Sequence, residues 1–186
     1  MSMTINHLSG DVWFPRISSL LAQIVLLAAI ILPIQAAAIW LFWSENVNVT
    51  IDGQTFYGDG ATPGVALRLI GLAAFLIVAL IQSWGLLGLR RTFQEASIGQ
   101  VFSQRSVQGF RFFAITSLIV IFANEANWLL FETIKEWAAL EGQFGSFTVT
   151  NGLPNWSEVS AALLLLFVAQ AFAIGRGVQE ENDGFV

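Results

Sequence analysis

The chain has 186 residues, 55% of them apolar and 11% charged, with a net charge of -5. An ordinary soluble domain carries about 25% charged residues, so this is a membrane-protein composition, and the acid excess excludes the basic surface that direct nucleic-acid binding requires. With no cysteine and a single histidine, His7, there is no thiolate nucleophile, no disulfide framework and no imidazole pair for haem or zinc; no cofactor, no metal site and no catalytic residue is expected.

Four apolar runs reach the roughly 20 residues that a helix needs to cross a bilayer. They predict an all-α membrane protein, one membrane domain over residues 1–186, built as a four-transmembrane-helix bundle with a small extracytoplasmic β cap from two hairpins. The first helix is expected over about 17–43. Its Pro33 and Ala36-Ala37-Ala38 imitate the end of a secretory signal, but the apolar run continues through Ile39, Trp40, Leu41, Phe42 and Trp43, past the short core of such a signal. The stretch NVNVTIDGQTFYG then alternates apolar and polar residues and turns at Asp52-Gly53, which predicts a hairpin over about 46–58.

The second helix is expected over about 65–91, with a continuation from Thr92 to Ile98 that puts Phe93 and Ala96 on one face and is stopped by Gly99. Ser103 is placed to cap the third helix, so residues 90–106 form the connecting loop. A third helix over about 104–135 spans about 50 Å, well beyond a hydrocarbon layer of about 30 Å, and must project from the membrane. GSFTVTNGLPNW repeats the hairpin device at Asn151-Gly152, over about 144–156. Two hairpins on one face pair into a sheet more readily than either survives alone. The fourth helix, about 157–178, leads into a polar tail, 179–186, with Gln179, Glu180, Glu181, Asn182 and Asp183.

Orientation follows from the basic residues, because cytoplasmic flanks accumulate Lys and Arg. Arg16, Arg90, Arg91, Arg105, Arg111 and Arg176 fall on one side, and Arg68 and Lys135 on the other. Both termini and the 90–106 loop are therefore expected in the cytoplasm.

Polar residues inside the apolar runs are few. Gln23, Gln82 and Gln170 all fall about 9 to 12 Å from the arginine-bearing side, with Ser117 at a similar level. They read either as hydrogen-bonding glue between helices, worth about 0.6 to 2 kcal/mol per bond, or as the lining of a solute path. Glu125 lies 14 residues beyond Arg111, about 21 Å into the membrane. An ionisable group there is costly and marks a candidate site: a structural carboxyl bonded to Asn124, Asn127 or Arg68, or a proton-linked or ligand-sensing group. Glu125, Trp128, Glu132 and Glu136 share a face, and Lys135 is placed to neutralise Glu132 at the outer interface. Ala169, Ala173 and Gly177 recur every four residues, a small-residue face for packing within the bundle or for a homo-oligomer.

Two short motifs carry a resemblance. The loop FQEASIGQVFSQRSVQGFR and the helix end GRGVQEENDGF resemble the bacterial membrane family catalogued as domain of unknown function 2975. Phe93, Gly99, Phe102, Arg105 and Arg111 occupy that family's loop pattern, and Gln179 to Asp183 its tail; the Gly/Trp-rich outer loops depart from it. Members are often encoded beside a helix-turn-helix regulator, so the resemblance implies an inner-membrane protein that holds or releases a cytoplasmic transcriptional regulator. Arg90, Arg91, Phe93, Gly99, Phe102, Arg105, Glu180, Glu181 and Asp183 are then the candidate partner-binding residues. The expected function is a non-enzymatic sensor or regulatory partner. The alternatives are a small solute or proton-linked transporter or channel, and an accessory scaffold subunit of a membrane complex.

Overall fold

The computed structural model describes residues 13–42, 49–51, 54–58, 65–141, 147–150 and 156–183, with side chains placed for 13–42, 65–134, 156–178 and 181. Four long helices make up the frame: α1 (Trp13–Leu41), α2 (Val65–Ser97), α3 (Gln104–Glu141) and α4 (Trp156–Asp183). Each contains a stretch long and apolar enough to cross a membrane. Leu20, Ile24, Leu27, Ile31 and Ile34 of α1, Leu69, Ile77 and Leu80 of α2, Phe122 and Leu129 of α3, and Leu164, Phe167 and Ile174 of α4 all point outward and are exposed. So large an apolar surface is foreign to a soluble monomer, whereas lipid tails are as apolar as leucine and solvate it. The chain is a multi-pass membrane protein.

The helices pack in chain order, α1 on α2, α2 on α3 and α3 on α4. α1 runs through Pro33 without ending, as helices in lipid can when local adjustments re-satisfy the freed carbonyl. Its Trp40 is 1% exposed and closes the core. The indole rests on Gly71 of α2, where any Cβ would run into the ring. It stacks on Phe131 of α3 with ring centroids 5.6 Å apart and 12° between planes, and meets Phe75 of α2 at 5.6 Å. Phe75 and Phe131 complete the trio at 5.8 Å. Ala36, Leu67 and Ala79 surround these rings. The three rings tie α1, α2 and α3 at the end of the bundle away from the α2–α3 turn.

α4 is the peripheral helix, with 11% of its apolar window buried against 33% for α3. Glu158 in its first turn shares a cavity wall with Ile121 of α3, so residues 122–141 of α3 run on past the start of α4. At 38 residues, α3 is about 57 Å long. The helix exceeds the predicted length, ending six residues later than expected. α4 also outruns its predicted bounds: residues 179–183 continue the helix, so the acidic tail begins as helix rather than as a separate segment. The predicted 90–106 loop shrinks for the same reason, since only residues 98–103 leave helical geometry.

Three short strands, β1 (Val49–Ile51), β2 (Gln54–Gly58) and β3 (Phe147–Thr150), form one antiparallel sheet in the order β1-β2-β3. Ile51 pairs with Gln54, leaving two residues between the strands of this hairpin. Where a second hairpin was expected over 144–156, the described residues hold the single strand β3, which pairs along β2 with Phe56 opposite Val149. Residues 144–146 and 151–155 of that second hairpin lie outside the described residues. β3 also lies against α3.

Candidate functional site

The turn between α2 and α3 is built from local chemistry that the sequence announces. Gly99 sits at φ 81°, a left-handed conformation that side-chain-bearing residues resist. Around it the Gly99 N–H donates to the Ala96 carbonyl at 3.1 Å and the Gln100 N–H to the Glu95 carbonyl at 2.9 Å, the paired bonds of a Schellman stop. Ser103 caps α3 by accepting the Ser106 N–H at 3.1 Å. Its hydroxyl donates in turn to a Glu95 carboxylate oxygen at 2.8 Å. Glu95 therefore fastens the turn twice, once through its backbone and once through its side chain.

Directly behind the turn, α2 and α3 approach closely. A Cβ on Gly109 would lie 2.5 Å from the Gly88 carbonyl oxygen, and one on Gly88 would lie 2.8 Å from the Gly109 carbonyl oxygen. One turn nearer the end, the Thr92 hydroxyl donates to the buried Ser106 carbonyl at 2.9 Å. Alongside this crossing a cleft of about 510 Å³ opens between the two helices. Gly88 and Gly109 floor it together with the Phe112 ring; Arg91, Gln94 and Glu95 of α2 and Arg105 and Gln108 of α3 wall it. The exposed Trp84 meets Phe112 edge-on at 5.7 Å, just below the floor. The cleft thus grades from two guanidiniums and two amides at its mouth to aromatic carbon at its base.

The structure brings Arg91 and Arg105 together, although 13 residues separate them along the chain. The other partner-binding candidates have different surroundings. Gly99 is a helix stop with open space around it. Phe102 is turned back onto the protein, its ring 5.7 Å from Phe172 of α4. Phe110 meets the same Phe172 at 5.5 Å, so the three rings pin α4 to the turn. Arg90 and Phe93 are half-buried outside the cleft, and Glu181 is exposed. The backbones of Glu180 and Asp183 are helical, and their side chains lie outside the described residues. Gln94, Glu95, Gln108 and Phe112 were not singled out from the sequence. Their signal was there: Gly88, Arg91 and Glu95 on α2, and Arg105, Gln108 or Gly109 and Phe112 on α3, follow helical spacing of three or four.

The expected glutamine layer is not formed. Gln23 and Gln170 are exposed on the outer faces of α1 and α4, whose main packing partners are α2 and α3 respectively. Gln82 alone reaches an interior wall, where it joins Ser117 as expected. The two line a second cavity of about 280 Å³ between α2, α3 and α4, with Thr116 and Glu158 as its other polar residues. Ser117 bonds back to the Phe113 carbonyl at 2.9 Å, so its hydroxyl is satisfied within α3. On the last helix, Ala169 is buried and Gly177 faces open space, which splits the small-residue face into a packed and an unpacked half.

Glu125 is half-buried and makes no hydrogen bond or ion pair among the described residues. The expected bond to Asn127 is absent: that amide donates instead to the Ala74 carbonyl of α2, at 3.4 Å. Arg68 and Asn124 likewise make their contacts elsewhere. Trp128, one turn on, packs against the aromatic core, and Glu132 has a partner of its own. The side chains of Lys135 and Glu136 lie outside those described. No group of three or more His, Cys, Asp or Glu able to hold a metal occurs among the described residues. Comparison with protein-family models, curated proteins and solved structures finds no match to this chain.

Proposed function

We propose that this chain is a non-enzymatic protein of the bacterial inner membrane that engages a soluble cytoplasmic partner through the end bearing the α2–α3 turn. In this reading both termini and the turn face the cytoplasm, and the three-stranded sheet caps the bundle on the opposite side. One observation carries it: polar side chains gather in the cleft at the turn end, while the other half of the bundle is closed by Trp40, Phe75 and Phe131. A closed aromatic core fits a protein that displays a surface better than one that conducts a solute. The excess of arginine at the turn end supports the orientation. The helical acidic segment 179–183 supplies charge of the sign that a basic regulator surface prefers, and the resemblance in the loop and tail motifs makes a helix-turn-helix regulator the partner to test first.

The test is affinity capture of the full chain from membranes, side by side with a chain truncated after Val178 and with Phe102→Ala. Loss of a specific soluble partner on truncation supports the reading, and an identical partner set in all three sinks it. A second reading, a small solute or proton-linked carrier, draws on the cavity that Gln82, Ser117 and Glu158 share. Proton or solute flux into liposomes that Gln82→Leu abolishes would favour it.

A further inference from the structure

We propose that the cleft between α2 and α3 is a binding site for a phosphate ester, with Arg91 and Arg105 as its two anion-holding groups. The argument starts from what the cleft offers. Its two cations come from different helices and face one cavity of about 510 Å³. Guanidiniums present planar forks of N–H donors that match phosphate oxygens two at a time. Bringing two such cations to one cavity on a chain of net charge -5, with 8 Lys and Arg in all, concentrates a quarter of the basic residues at one place.

The amide groups of Gln94 and Gln108 line the same space and can donate to the remaining oxygens. Glu95 is the one acid against two arginines, so the cations are in excess, and one of its carboxylate oxygens is engaged by the Ser103 hydroxyl. α3 also begins beside the cleft, so the positive end of its dipole adds to the field. The base of the cleft points to what the ester carries. Phe112 and the exposed Trp84 continue the wall as aromatic carbon on the lipid-facing side, the level at which amphipathic rings sit near headgroups. A phospholipid would place its phosphate between the arginines and its glycerol and chains along these rings. A soluble phosphate ester would use the arginines alone. The proposal requires neither a protein partner nor a particular compartment for this end of the bundle.

The experiment uses the full chain purified in maltoside micelles free of phospholipid. Native mass spectrometry follows the titration of phosphatidylglycerol in one arm and glycerol phosphate in the other. The variants are Arg91→Gln with Arg105→Gln, the conservative Arg91→Lys with Arg105→Lys, and Arg111→Gln as a charge control, since the exposed Arg111 lies outside the cleft. Each lost set of charge-assisted bonds is expected to weaken binding about tenfold or more, with the lysine pair intermediate and Arg111→Gln unchanged. Because Arg91 and Arg105 are exposed, the fold is expected to survive their replacement, and an unchanged helical circular-dichroism spectrum checks this. Binding in the phosphatidylglycerol arm that the glutamine pair removes identifies a lipid headgroup. The same result in the glycerol phosphate arm identifies a soluble ester. Equal binding by the glutamine pair and the Arg111 variant, or no adduct in either arm, overturns the proposal.

Discussion

Gly109 and Gly88 set the distance between α2 and α3 with their missing side chains. Any Cβ at Gly109 meets a backbone carbonyl oxygen at 2.5 Å, and backbone cannot rotate aside as a side chain can. Gly109→Leu is therefore expected to force the crossing apart and to cost about 1–3 kcal/mol, read as an earlier thermal unfolding transition in detergent. Gly177→Leu on α4, where nothing lies within 4 Å, is the matched control and should change little. Glu125 poses the opposite problem: a half-buried carboxyl in an apolar run with no partner among the described residues. Such a group costs the fold something for nothing in return. Glu125→Leu is thus expected to unfold at the same temperature as the parent chain or higher, and a marked drop in stability would reveal a structural bond to this carboxyl.

At the scale of elements, the four helices are unequal partners. α2 and α3 share a buried seam of close contacts from Thr92 and Ser106 at one end to Phe75 and Phe131 at the other. α4 leans on α3, and Phe172 is the ring through which both Phe102 and Phe110 hold its C-terminal half. Each such ring pair contributes about 0.5–1.5 kcal/mol beyond area burial. Phe172→Ala should therefore loosen α4 by about 1–3 kcal/mol while leaving the α1–α2–α3 core intact. Hydrogen exchange checks this: faster exchange confined to the C-terminal half of α4 is the expected outcome, and uniform acceleration across all helices would contradict it. The turn holds by different means. Its backbone bonds at Gly99 and Gln100 and the Ser103 cap are short-range, which is why the stop and the cap were both legible in the residues themselves.

For the whole molecule, the absence of cysteine makes topology directly measurable. Gln100 is exposed in the turn, so Gln100→Cys introduces one reactive thiol without disturbing a contact. The proposed orientation predicts that a membrane-impermeant maleimide leaves this thiol unlabelled in intact cells and labels it once the membrane is opened. Labelling from outside intact cells would reverse the bundle and remove the cytoplasmic partner with it.

Hydropathy and length alone determined that four segments are helices suited to lipid, because a backbone in hydrocarbon must satisfy its hydrogen bonds within its own segment. The turn at Gly99 and the cap at Ser103 were equally local, each decided by a few neighbouring residues. Counting depth did not reveal that Gln23 and Gln170 face outward, since distance along an axis carries no information about which way a side chain points. The rotation of the helices, and hence that outcome, was fixed by their neighbours: by Trp40 against Gly71 and Phe131, by the glycine crossing of α2 and α3, and for α4 by Phe172 against Phe102 and Phe110. The cleft was likewise settled by tertiary structure. Arg91 and Arg105 face one cavity only because two glycines bring their helices together beneath them, and a contact between separate helices is not written in the spacing of either one.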